Sequence, residues 1–388
     1  MKKIFVFFLS ILIINSNAQE KCGTDLITKH RMEIYPEYKI ARQNVNFQTK
    51  KWIKENKDNI NKTIITIPVV VHVVWKTQQQ NISDAQIQSQ IDVLNKDYRR
   101  TNIDQINTPS VWQGIAADCE IEFCLAKTDP NGQPTNGINR VQTNHGQFTM
   151  SNDIHTASAG GADDWPNNDY LNIWVCDLGS GLLGYATPPS TFIGDGDGLV
   201  IGYRYFGTIG TVQAPYNKGR TATHEIGHWL NLEHLWGVWG NCGNDQVNDT
   251  PKQESENYSC PGYPANPNSC NTTNPNGDMF MNYMDYTNDA CMNLFTLGQK
   301  NRMIAAINLY RSNMLNHNLC NHTTNILESN SKNKKLIHII DILGRKTNKI
   351  KKNTPLFYIY NNGIVEKRII KEYNYKNYIT YKNLIFIY

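Results

Sequence analysis

The sequence predicts an α+β chain in two parts: one large domain with a sheet and helices, then a small β-rich module at the C-terminus. Three observations predict this. The 388 residues suffice for one sizeable domain plus accessory segments. Ile64 to Trp75 is an almost unbroken apolar run rich in Val and Ile, the pattern of a central strand buried on both faces, and helical periodicity follows it. Near the other end, residues 335–341 and 356–360 alternate with period two, as half-buried strands do.

The elements follow in order. Lys2 and Lys3, the apolar stretch Ile4 to Ile14 and the small residues Ser16-Asn17-Ala18 read as a signal peptide over 1–18, too short to span a bilayer. Lys21 before Cys22 is not the small residue that lipid attachment needs. The central strand opens with Pro68 near its start, where a missing N–H is tolerated. His72 inside it reads as a packed core residue. Ser83 begins a helix, with Gln86 set to close a capping box, Ile82 to staple on Ile87, and Ile87, Ile91, Leu94 and Tyr98 as the buried stripe. Ile121 to Leu125 and Tyr170 to Cys176 read as further strands, and Leu182 to Ala186 as a short one. After Cys320 an Asn- and Ser-rich linker (321–333) leads to the C-terminal module (334–388), where Asn361-Asn362-Gly363 turns a hairpin.

The chemistry concentrates in His224-Glu225-Ile226-Gly227-His228-Trp229-Leu230-Asn231-Leu232-Glu233-His234. On a helix, His224 and His228 project from one face one turn apart. Neutral imidazoles suit zinc, and three protein ligands leave a fourth position for water. Glu225, beside the first ligand, can take that water's proton. An unbroken helix would carry His234 to another face, so the chain must reverse near 231. Such a reversal needs positive φ, which asparagine tolerates best after glycine, and the residue there is Asn231.

This segment resembles the metzincin metallopeptidases, whose pattern is HExxHxxGxxH followed by a methionine turn; Asn231 stands where that pattern has glycine. The turn is matched by Met281-Asn282-Tyr283-Met284-Asp285-Tyr286. Trp236-Gly237, Asp245 to Pro251 and Asp278 to Met292 narrow the resemblance to the pappalysin family, in its cytophagalysin or ulilysin-like branch, over residues 64–320. The resemblance implies a twisted, mostly parallel sheet with a zinc helix in a catalytic domain over 63–320. Met284 would be an apolar floor beneath the ligands and Tyr286 an oxyanion partner. Leu182, Leu183, Gly184 and Tyr185 would form the sheet edge on which a protein or peptide substrate lies antiparallel, held by strand addition. Asp289 would floor a pocket favouring Arg or Lys after the cleaved bond. Asp245 and Thr250 would hold a structural Ca2+. A pro-segment over 19–62 would place Cys22 on the Zn2+ in a latent form, with Lys50, Lys51, Lys54, Lys57 and Lys62 as processing points.

Nine cysteines in an exported chain imply disulfides, with at least one thiol left over. Cys242, Cys260, Cys270 and Cys291 admit three pairings by sequence, and the resemblance favours Cys242 with Cys270 and Cys260 with Cys291; Cys119, Cys124, Cys176 and Cys320 are unassigned. Residues 331–388 hold 13 Lys and Arg against 3 Asp and Glu, yet an export signal argues against nucleic acid, so solvated strands explain the charge better. Ile340 to Lys346 and Phe357 to Lys367 resemble sorting domains of type IX secretion, implying that machinery as a partner and passage to or across the outer membrane. Two rival readings remain: Glu254 or Glu256 as third metal ligand in another peptidase class, and a non-catalytic secreted adhesin on the same fold. His224, Glu225, His228 and His234 together argue against the second.

Overall fold

The computed structural model describes residues 21–57, 63–179, 181–190, 196–271, 274–321, 335–347, 353–361 and 365–369. The expected signal peptide, nearly all of the expected linker, the centre of the hairpin turn and the chain beyond 369 lie outside the described residues. The chain divides into two compact units, one ending at Thr323 and the other starting at Thr324.

The apolar run forms β1 (Ile65–Trp75), and its 11 residues give it three neighbours. Along one edge its first half pairs with β2 (Ile121–Leu125) and its second half with β3 (Ile138–Gln142). Its other edge pairs with β4 (Leu171–Cys176). All three pairings are parallel. Two further strands complete the sheet, β5 (Gly184–Ala186) and β6 (Gly198–Gly202). Strand β6 lies parallel beside β4, and β5 runs antiparallel at the outer edge of β6. The sequence reading contained neither β3 nor β6, both short and Gly- or polar-flanked. It also extended β5 back to Leu182, whereas Leu182 and Leu183 precede the strand.

Both faces of β1 are covered. Val69, Val71 and Val73 pack in the main core with Ile87, Ile91, Leu94 and Tyr98, while Val74 joins Phe148, Ile154 and Trp174 in a second cluster. Each such buried side chain contributes about 1.5–3 kcal/mol relative to exposure. His72 bonds Asn172 through Nε2 (2.9 Å) and Asn139 through Nδ1 (3.1 Å), and stacks on Trp174. Burial pushes its pKa down to about 4, so it is a neutral core residue.

Among the described residues, six α-helices accompany the sheet: α1 (Thr24–Ile34), α2 (Pro36–Glu55), α3 (Asp84–Tyr98), the single turn α4 (Ser110–Gln113), α5 (Arg220–Trp229) and α6 (Leu297–Tyr310). Helices α1 and α2 dock on the same unit, α1 near β5 and α2 against α6. At α3, Ser83 accepts from the Gln86 amide at 3.1 Å, but the reciprocal half of the expected capping box is not made. The Gln86 side-chain amide donates instead to Tyr203 O, Phe206 O and Thr211 Oγ1. Those carbonyls lie in a buried loop and need donors. The complete capping box belongs to α6, between Thr296 and Gln299.

Three disulfides brace the unit. Cys242–Cys270 and Cys260–Cys291 lace the loop-rich stretch after the HExxH motif, and Cys124–Cys320 ties β2 to the unit's end. Cys22, Cys119 and Cys176 are buried thiols. In the second unit β7 (Leu336–Ile340), β8 (Pro355–Tyr360) and β9 (Val365–Ile369) form an antiparallel sheet in that order.

The start of α5 is fixed by charge. Buried Arg220 reaches Asp97 on α3 (3.1 Å), Asp104 (2.6 Å) and the carbonyls of Asp289 (2.7 Å) and Met292 (2.9 Å). Removing the cation strands two carboxylates, one of them fully buried, which costs about 3–5 kcal/mol. Arg220→Met is therefore expected to lower the urea midpoint by that equivalent; a midpoint within error of the parent would contradict this role.

Candidate active site

Helix α5 carries His224, Glu225 and His228, all buried. It ends in a Schellman arrangement: Leu232 N bonds Gly227 O (2.8 Å) and Asn231 N bonds His228 O (2.9 Å), with Asn231 at φ +72°. The reversal swings His234 back to the other two imidazoles. The three Nε2 atoms lie 3.1 Å from one another.

The outer ring nitrogens decide the tautomers. His224 Nδ1 faces Tyr283 O at 2.7 Å, His228 Nδ1 faces Leu232 O at 2.9 Å, and His234 Nδ1 faces Asp25 Oδ2 at 2.7 Å. Carbonyl and carboxylate oxygens only accept, so each Nδ1 carries the proton and each Nε2 presents a lone pair. Three lone pairs aimed at one point repel unless a cation lies between them. Three nitrogens about 2.0–2.1 Å from a tetrahedral centre would stand roughly 3.3 Å apart, close to the observed triangle. Burial pushes the pKa values of His224 and His228 well below the usual imidazole range, keeping both neutral. Cys22 Sγ completes a set of four donors within 4.8 Å of one another. The donor chemistry fits zinc, and Glu254 and Glu256 are not in the set.

Beneath the site runs the Met284 turn. Asn282 shapes it by accepting from Met284 N (2.9 Å) and exchanges two amide bonds with Gln299 on α6. Met284 is fully buried, and its Sδ would lie 2.5 Å from a Cβ at position 227, so a side chain there would displace the thioether from its seat against the helix. Tyr286 stands over the site, 5.0 Å from the His234 ring and 5.8 Å from His224.

Residues 21–23 fill the cleft. Leu183 N and Gly184 N bond Lys21 O, and Gly23 N bonds Gly184 O, so this segment lies parallel to β5. Glu225 Oε2 accepts from Thr24 Oγ1 (3.0 Å) and the Cys22 thiol (3.4 Å), while Tyr286 donates to Cys22 O (3.3 Å). Burial raises Glu225 to about 7 and pushes the Cys22 thiol up, the latter helped by Glu225. The Lys21 ammonium donates to Tyr286 O and sits 4.4 Å from the Tyr216 ring centroid. Burial lowers Lys21 to about 8 against the pull of Asp289 and Asp285. Asp289 binds the Lys218 and Arg220 amides through Oδ2, at the head of α5. Asp245 and Thr250 bond each other at 2.6 Å and line neither cleft beside the triad.

Sequence reasoning missed Lys21, Thr24, Asp25 and Tyr216. No spacing rule links them to the motif, because Asp25 and His234 are 209 residues apart. Asn231 has a second role as well: its side chain accepts from Arg42 (3.1 Å) and donates to Thr49 (3.1 Å), both on α2.

A histidine triad built from an HExxH helix and the reversal that follows it, closed below by a methionine turn, defines a zinc metallopeptidase of the metzincin class. Residues 153–308 match the family model described as pregnancy-associated plasma protein-A, peptidase M43. The chain belongs to this family, the pappalysins. It is 32% identical over 258 residues to an extracellular metalloprotease of Arthroderma benhamiae, covering 64% of this chain and 79% of that protein. A mutant promirolysin of Tannerella forsythia is 44% identical, with a TM-score of 0.65, over 76% of this chain and 97% of that one. Mature mirolysin of the same organism, in complex with a cleaved peptide, is 49% identical with a TM-score of 0.60, over 66% of this chain and 100% of that one.

Replacing Asn231 with glycine keeps the positive φ but deletes both bonds to α2, worth about 2 kcal/mol together. Asn231→Gly is expected to speed limited proteolysis within α2 by tenfold or more. An unchanged cutting rate would show that these bonds do not hold the segment.

Proposed function

We propose that the chain is a secreted endopeptidase, made as a latent precursor, in which His224, His228 and His234 hold zinc and Glu225 is the general base. The convergence of three Nε2 lone pairs 3.1 Å apart, with the Glu225 carboxylate on the same helix, carries this reading. When bound, zinc lowers the pKa of a water and polarises the scissile carbonyl. Glu225 takes the water's proton and hands it to the leaving amine. The Tyr286 hydroxyl, which already donates to one peptide carbonyl in the cleft, donates to the oxyanion. Substrate lies antiparallel on the edge formed by Leu182 to Tyr185, the reverse of residues 21–23, so the occupying segment does not present its own peptide bond for cleavage.

The pocket holding Lys21 supports a preference for Lys or Arg after the cleaved bond, with Asp289 as its acidic floor. The precursor reading makes 1–18 a signal peptide and 19–62 a pro-segment whose Cys22 blocks the metal. The catalytic domain spans 63–320, and 321–333 links it to a sorting module (334–388) for type IX secretion. The relatives named extracellular metalloproteases accord with export. Asp245 and Thr250, oxygen donors within reach of each other, suit a structural calcium.

Three outcomes are expected. Glu225→Gln should retain one zinc per chain while casein cleavage falls by at least a thousandfold; full turnover would end the assignment. Profiling on a peptide library should return Lys or Arg after the cut, and Asp289→Asn should reduce that selectivity; an apolar preference would remove the pocket reading. Chelation with EGTA should lower the melting temperature by several degrees, and an unchanged melt would exclude the calcium.

A further inference from the structure

Each imidazole of the triad is oriented by an acceptor on its outer nitrogen. For His224 and His228 these are backbone carbonyls, Tyr283 O and Leu232 O, which belong to the body of the unit. For His234 the acceptor is the Asp25 carboxylate in the first turn of α1, 2.7 Å away. The His234 side chain is wholly buried, and that of Asp25 is 15% exposed. Trp236 stacks on the His234 ring (4.6 Å, 7° between planes) and Tyr286 meets it edge-on, so the ring is fixed with Nδ1 towards α1.

A carboxylate acceptor polarises an imidazole more than a neutral carbonyl does and makes the opposite nitrogen a stronger donor. The acceptor on the third ligand therefore sits on the segment that the precursor reading removes. Asp25 lines a cleft together with Trp236, Trp239, Glu254 and Tyr258, so removal of the segment opens the Nδ1 side of His234 to solvent.

We propose that Asp25 is a positioning residue for metal retention. Acting through His234, it holds the divalent ion in the precursor, separately from the thiolate of Cys22, and its departure leaves the matured site with weaker hold on the same ion. This inference rests on the zinc reading above. It assigns the N-terminal segment a task besides blocking the cleft: securing the metal until the segment is removed.

The test uses the full precursor carrying Glu225→Gln, which abolishes turnover, loaded with one zinc per chain. Zinc transfer to an excess of chromogenic chelator is timed by absorbance. Asp25→Ala is expected to release zinc about tenfold faster, in line with the losses seen when an outer carboxylate is removed. Asp25→Asn, which keeps an oxygen acceptor without the charge, should fall between it and the parent. The downfield Nδ1 proton resonance of His234 should vanish in Asp25→Ala. Val45→Ala removes one buried side chain from α2 but leaves Asp25 and the triad in place, and should release zinc at the parental rate. The proposal is overturned if Asp25→Ala stays within twofold of the parent, or if Val45→Ala accelerates release equally. A parent that binds no zinc would instead bring down the underlying reading.

Discussion

Three imidazole lone pairs directed at a single point are the constraint on which this structure turns. In the absence of a cation they repel, so the arrangement persists only if the surrounding chain holds each ring from outside. The holding is distributed. One ring is fixed by the methionine turn, one by the reversal that ends its own helix, and one by the N-terminal segment.

These supports are themselves tied to the fold. The methionine turn is pinned to α6 by the Asn282–Gln299 amide pair and seated under Gly227 by close approach of Met284. The head of α5 is anchored to α3 through Arg220 and Asp97, and to the loop after the turn through Asp289. Asp289 therefore serves two ends: one oxygen receives the Lys218 and Arg220 amides at the head of α5, and its charge acts on the occupant of the neighbouring pocket. Buried polar networks of this kind give rigidity when every member is satisfied. The sheet contributes the edge strand β5, where Gly184 N and O, with Leu183 N just before the strand, take up the segment 21–23.

What could be read in advance was local. The apolar run of β1, the Ser83 start of α3 and the spacing of His224 and His228 each follow from periodicity or capping within a few residues. The turn at Asn231 followed from the need to bring His234 round. What escaped was long-range or context-bound. Gln86 looked like half of a capping box, but a buried loop over 100 residues away claimed its amide. Strands β3 and β6 are five residues each and declare themselves only through their partners. Asn231 stood as a tolerated stand-in for glycine, while its side-chain contacts with Arg42 and Thr49 depend on tertiary packing. Cys124 and Cys320 carry no mark of their pairing across 196 residues.

Zinc-edge X-ray absorption on the purified, unprocessed chain tests the central claim most directly. The account expects one zinc bound by three imidazole nitrogens and one sulfur at about 2.3 Å. A folded full-length chain without metal, or a first shell in which a carboxylate oxygen replaces one of the imidazoles, would contradict it.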